Sequence, residues 1–231
     1  MKDKEGTILY TLCALGCVLG SQYDGGYSYI KTEAQVAWYE QNIKAISALR
    51  YGRDSGGVVK SMLFTHTPVP EVVTAWKSAW NDGEPNENYF YGELLSGKST
   101  LNGYLGQDTL FQKAVELQST KAMFFGHYHD NGFSVEYEGI RLTAGQMTTN
   151  NMDYRIGSAL SGLLYASFDF RRLITYGDDR GGTKITLSSS GGFSVSPIYA
   201  REVLQDYNTR YSPDYEAVYV ALEARGIDAV R

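Results

Sequence analysis

The 231-residue sequence predicts a layered α/β fold with antiparallel strands late in the chain. Three observations carry that expectation. Short apolar runs of strand length at residues 7–12, 58–65 and 121–125 are separated by segments with helical periodicity at 32–49, 71–80 and 108–118. Helices between early strands favour a parallel arrangement. Beyond residue 132, strand-like runs instead sit close together across short polar turns, which favours hairpins.

The bulk numbers are those of a folded protein. The chain is 43% apolar and 20% charged, and long enough to bury a real core. A formal net charge of -5 with no basic cluster argues against a general nucleic-acid or membrane-surface binder. Residues 7–20 are apolar and invite a secretory-signal reading with cleavage near Gly20 or Ser21. Asp3 and Glu5, however, cancel the charge of Lys2 and Lys4. The stretch is too short for a membrane span, and a buried strand starting at Thr7 is the preferred reading. Compartment is not legible. Cys13 and Cys17 read as buried structural thiols rather than a redox pair.

The clearest helix spans residues 32–49. Thr32 and Gln35 form a T-x-x-Q capping box, and Val36, Tyr39, Ile43 and Ile46 make one core-facing stripe. The next strand, 58–65, is stopped by Pro68 and Pro70, and Pro70 and Glu71 can open the following helix. Residues 81–107 read as one long loop. A helix over 108–118 and a short buried strand over 121–125 follow. Residues 133–137 and 140–144 flank Glu138-Gly139 as a hairpin. Residues 163–176 and 183–187 are expected to form a second hairpin across 177–182, with a flexible link at 188–192 and a last helix at 214–224. The expected division is one domain over 1–190 and a helical extension over 191–231.

All three histidines of the chain lie just past the ends of strand-like runs: His66 after residues 58–65, and His127 and His129 after 121–125. In an open α/β sheet, ligands collect at the carboxyl ends of strands, so the three can converge as metal ligands. Two positions apart on extended backbone, His127 and His129 face the same side, a spacing that suits one ligand to each of two ions about 4 Å apart. Three nitrogens also suit a lone zinc. Gly126 permits a sharp exit from the strand. Asp130 and Asn131 are candidates to fix the imidazoles from behind.

A second pattern competes. Gly92 to Ser99 satisfies the G-x-x-x-x-G-K-S phosphate-loop pattern. The physics asks for a buried strand before it and a helix after it. Polar and aromatic residues precede it, and Gly103 and Gly106 follow, so a nucleotide binder is a remote alternative.

Gly126-His127-Tyr128-His129-Asp130-Asn131 resembles the G-H-x-H motif of calcineurin-like metallophosphoesterases. Phe64-Thr65-His66-Thr67-Pro68-Val69-Pro70-Glu71 resembles the F-x-H-x-P-x-P-E segment of their purple-acid-phosphatase-like branch. Gly26-Tyr27-Ser28-Tyr29-Ile30-Lys31 followed by Gln35-Val36-Ala37-Trp38-Tyr39 also resembles that branch. The order and spacing agree over roughly residues 7–187.

The resemblance implies a four-layer αββα sandwich around two metal ions drawn from iron, manganese or zinc. It implies hydrolysis of a phosphate ester by a metal-bridging hydroxide, with His66 and His127 on one ion and His129 on the other. Lys98 then falls in a loop near the site mouth, where it can meet substrate phosphate. The family's D-x-H, G-D-x-x-D and G-N-H-D/E motifs are not in this sequence. The expectation is therefore the C-terminal half of such a sandwich. It lacks the carboxylate ligands and is inactive alone. It is a piece of a competent phosphatase, a degenerate binding protein, or a chain that assembles with a separate N-terminal half.

Overall fold

A computed structural model of the chain describes residues 1–23, 26–94, 108–128, 131–146 and 181–203. In chain order the elements are β1 (Tyr10–Leu15), β2 (Val18–Tyr23), β3 (Gly26–Ile30), α1 (Glu33–Tyr51), β4 (Lys60–Thr65), α2 (Val72–Ser78), β5 (Trp80–Asn81), β6 (Glu84–Pro85) and β7 (Tyr89–Glu93). They continue with α3 (Leu110–Leu117), β8 (Thr120–Phe125), β9 (Gly132–Tyr137), β10 (Ile140–Ala144), β11 (Gly181–Leu187), β12 (Phe193–Tyr199) and α4 (Ala200–Val203).

The main sheet has six strands in the order β1-β4-β8-β10-β9-β7. The first four run parallel, and β9 and β7 are antiparallel to their neighbours. This is a mixed-sheet α/β arrangement, but antiparallel pairing is not confined to the late strands: β2–β3, β5–β6 and β7 are antiparallel before β8 is reached. The buried parallel strands read as continuous apolar runs, Met62-Leu63-Phe64 and Ala122-Met123-Phe124-Phe125.

Alternate residues build one core. Cys13, Leu63, Met123, Leu142 and Val135 share a row across the sheet. They cluster with Val36, Tyr39 and Ile43 of α1, Val72, Val73 and Ala75 of α2, and Leu110, Phe111 and Ala114 of α3. Fully burying a side chain such as Leu63 or Leu142 contributes about 2 kcal/mol.

The capping box forms: the Gln35 N–H donates to Thr32 Oγ1 (3.2 Å) and the Thr32 N–H to Gln35 Oε1 (2.8 Å). Glu138 and Gly139 both adopt positive φ (51° and 71°), the twisted turn that joins β9 to β10 in register. The run at residues 7–20 forms β1, three residues later than expected, and opens β2.

Two expectations are corrected. Residues 81–107 are not all loop: β5 and β6 pair, and β7 extends the main sheet beside β9. Tyr89, Phe90 and Tyr91 supply the aromatic strand surface that pairing needs. Residues 183–187 lie in β11, which pairs with β12 among the described residues. The supposed link at 188–192 is the turn between them. There the Ser188 N–H donates to the Gly192 carbonyl and the Gly191 N–H to the Ser188 carbonyl, both at 3.0 Å. Residues 163–176 and 214–224 lie outside the described residues.

The chain divides into two compact units, Met1–Gly145 with Ile185–Ser194, and Gln146–Lys184 with Val195–Arg231. The first holds the main sheet, its helices and the histidine pair. The described part of the second includes the open end of the β11–β12 hairpin and α4.

Candidate metal centre

The adjacent parallel strands β4 and β8 are in register through Leu63↔Met123 and Phe64↔Phe124, so their carboxyl ends finish level. His66 stands one residue past β4 and His127 two past β8. The Gly126 N–H donates to the His66 carbonyl at 3.0 Å and ties the two exits together.

Past Gly126 the chain turns at once. His127 has φ +71°, and the Tyr128 N–H donates to the Gly126 carbonyl at 2.9 Å, closing a three-residue turn centred on His127. Left-handed backbone at a histidine is uncommon and costs energy. It brings His127 Nδ1 to 3.2 Å from His66 Nε2, with ring centroids 5.1 Å apart and planes at 83°. The extended backbone expected at His127 is thus corrected to a turn. His66 is exposed and His127 half-buried, and the edge of one packs on the face of the other beside Tyr128 (centroids 4.9 Å).

The support beneath is polar and buried. Lys31 lies 2% exposed, and its Nζ donates to the Thr67 carbonyl (3.1 Å) and the Pro68 carbonyl (3.0 Å). Asp108 Oδ2 completes the set at 3.6 Å from Nζ, while Oδ1 accepts the Leu110 N–H at the start of α3. Cys17, past the end of β1, places Sγ 2.8 Å from Thr67 Oγ1. Both cysteines are free thiols, and burial pushes the Cys13 thiol pKa up. Glu71, just before α2, accepts from Gln112 Nε2 through Oε1, while Oε2 is buried without a hydrogen-bond partner among the described residues. Burial, and then the nearby Asp108 charge, push the Glu71 carboxyl above its ordinary range.

Of the predicted site residues, His66 and His127 come together. Asn131 is buried and its backbone N–H donates to the Tyr128 carbonyl at 3.0 Å. His129, Asp130 and Lys98 lie outside the described residues. Among the described residues, no group of three or more His, Cys, Asp or Glu side chains is arranged to hold a metal. The described donor set is therefore two imidazoles. Gly92 of the phosphate-loop pattern sits within β7, an antiparallel edge strand, where φ +84° and close approach to the Gly132 backbone account for the glycine.

Sequence reasoning missed Lys31, Thr67 and Asp108. A lysine before a capping threonine reads as a surface residue, and nothing local announces its burial.

Among curated proteins the chain is similar to "Probable inactive purple acid phosphatase 14" of Arabidopsis thaliana, at 29% identity over 118 residues, which is 50% of this chain. That match spans 26% of the relative's length. No family profile and no solved structure matches the chain. The partial similarity lends weak support to a metallophosphoesterase-like relationship, the one the G-H-x-H resemblance implies.

Proposed function

We propose that this chain carries the histidine-bearing part of a purple-acid-phosphatase-like metallophosphoesterase domain and binds a divalent metal ion through His66 and His127. The carrying observation is their 3.2 Å nitrogen separation at the carboxyl ends of adjacent parallel strands. Two imidazole nitrogens on one tetrahedral zinc, at bonds of about 2.05 Å, stand about 3.3 Å apart. His129 is the donor expected for a second ion of the iron, manganese or zinc type. The main sheet and its helix layer supply one half of a four-layer αββα sandwich.

A metal held by His66 and His127 would polarise a phosphoryl oxygen and acidify bound water. The chain's own residues hold the imidazoles in place. Dications side by side also need anionic ligands, and the family's carboxylate motifs are not in these 231 residues. A complete centre therefore draws them from another segment or partner chain. The chain alone binds metal and does not turn over phosphate esters.

A second reading, a catalytically inactive metallophosphoesterase-like binding protein, gains from the word "inactive" in the relative's name. Calorimetric titration with Zn²⁺ and Mn²⁺, beside hydrolysis of a chromogenic phosphate ester, tests both. The expected result is metal binding that His66→Ala and His127→Ala each abolish, without turnover. Binding indifferent to both substitutions overturns the metal site. Turnover lost in His129→Ala overturns the claim of inactivity.

A further inference from the structure

We propose that Lys31 is the positioning residue of the histidine pair, its buried ammonium gripping the backbone that immediately follows His66. The proposal rests on the metal reading for its functional consequence and on geometry alone for the placement.

Three consecutive carbonyls leave β4 here, and each has a partner. The His66 carbonyl accepts from the Gly126 N–H (3.0 Å). The Thr67 carbonyl accepts from Thr65 Oγ1 (2.7 Å) and Lys31 Nζ (3.1 Å), and the Pro68 carbonyl accepts from the same Nζ (3.0 Å). Pro68 has no N–H and so cannot itself donate to a strand ladder. An ammonium offers three donors from one point and no acceptor. Two neighbouring carbonyls and one carboxylate, Asp108 at 3.6 Å, match that set.

The side chains of Lys31 and Asp108 are 0% and 2% exposed. A buried ion pair is weak as a source of stability, because apolar side chains of like volume serve as well. What an apolar pair cannot do is draw two adjacent carbonyls to one point. Asp108 also accepts the backbone N–H of Lys31 (3.3 Å) and of Leu110 (3.1 Å), so the segments before α1, after β4 and before α3 meet at the amino group. The His66 imidazole is thereby held where His127 Nδ1 reaches it.

The test uses the full chain labelled at histidine and compares wild type with Lys31→Met, with the double variant Lys31→Met/Asp108→Asn, and with the exposed control Lys44→Met. The double variant removes both charges, leaves no unpaired buried ion, and so retains the fold even where the single variant does not. Two readouts are taken: the cross-ring nuclear Overhauser effect between His66 and His127 in metal-free protein, and Zn²⁺ affinity by calorimetry. In folded Lys31 variants the cross-ring effect is lost and Zn²⁺ binding weakens roughly tenfold or more, while the control matches wild type. A cross-ring effect and affinity unchanged in either folded variant overturn the proposal. If wild type shows the cross-ring effect but binds no Zn²⁺, the metal reading falls, and the cross-ring effect in the variants alone decides the role of Lys31.

Discussion

The Gly126 N–H donates to the His66 carbonyl at 3.0 Å, so the exits of β4 and β8 are joined by backbone before either imidazole is placed. Among the described residues, a Cβ at position 126 would meet only the His66 carbonyl oxygen, at 3.9 Å. Gly126→Ala is therefore expected to change stability by less than about 0.5 kcal/mol. Gly126→Pro deletes the donor and is expected to cost roughly 1–3 kcal/mol. Urea unfolding of the two variants checks the contrast.

His127 sits at φ +71°, so its side chain is retained against a backbone preference. His127→Gly is expected to be more stable than His127→Ala by about 1 kcal/mol, since only glycine occupies that region freely. Neither variant binds Zn²⁺ through this position. Thermal unfolding beside calorimetry separates the strain from the ligand.

Glu71 predicts a pH dependence. Its folded-state pKa is raised, first by burial and then by Asp108. A carboxyl raised in the folded state contributes stability that is fully present below its unfolded pKa and is lost as pH rises through the folded value. Glu71→Gln, which keeps a neutral side chain there, is expected to gain stability relative to wild type across that window and to flatten the curve. Urea midpoints measured from acid to neutral pH decide it. An unchanged slope removes Glu71 from the account.

Tyr39 closes a buried hydroxyl network at the other end of the sheet. Its hydroxyl lies 2.6 Å from Thr120 Oγ1 and 3.4 Å from Ser61 Oγ. Ser61 and Thr120 also contact each other at 3.2 Å, and Ser119 donates to Ser61 at 2.9 Å. Tyr39→Phe leaves those bonds in place and is expected to cost about 1 kcal/mol in chemical denaturation, without effect on Zn²⁺ affinity.

Gly92 is explained by strand pairing. A Cβ there would fall 1.8 Å from the Gly132 carbonyl oxygen, across the β7–β9 ladder. Gly92→Ala is expected to destabilise by roughly 1–3 kcal/mol. Mg²⁺-ATP is expected to leave the wild-type melting temperature where it is. A nucleotide-dependent shift lost in Lys98→Ala would restore the phosphate-loop reading.

Features carried by neighbouring residues were legible in the chain itself. The box at Thr32 and Gln35, the Val36-Tyr39-Ile43 stripe and the Glu138-Gly139 turn depend on contacts a few residues apart, and each formed as read. So did the apolar runs of β4 and β8, because strands buried on both faces must be apolar throughout. Pairings across long separations were not legible. Nothing in Tyr89-Phe90-Tyr91 names β9, some forty residues on, as its neighbour.

The sequence by itself determined which side chains could serve as ligands and that His66 and His127 follow strands. Only the tertiary structure decided that those strands are parallel neighbours ending level, that His127 turns left-handed to meet His66, and that Lys31 lies beneath them. The physical reason is separation along the chain: a turn or a cap is settled by local dihedral preference, whereas a parallel pair and a buried ammonium form only when the whole sheet closes around them.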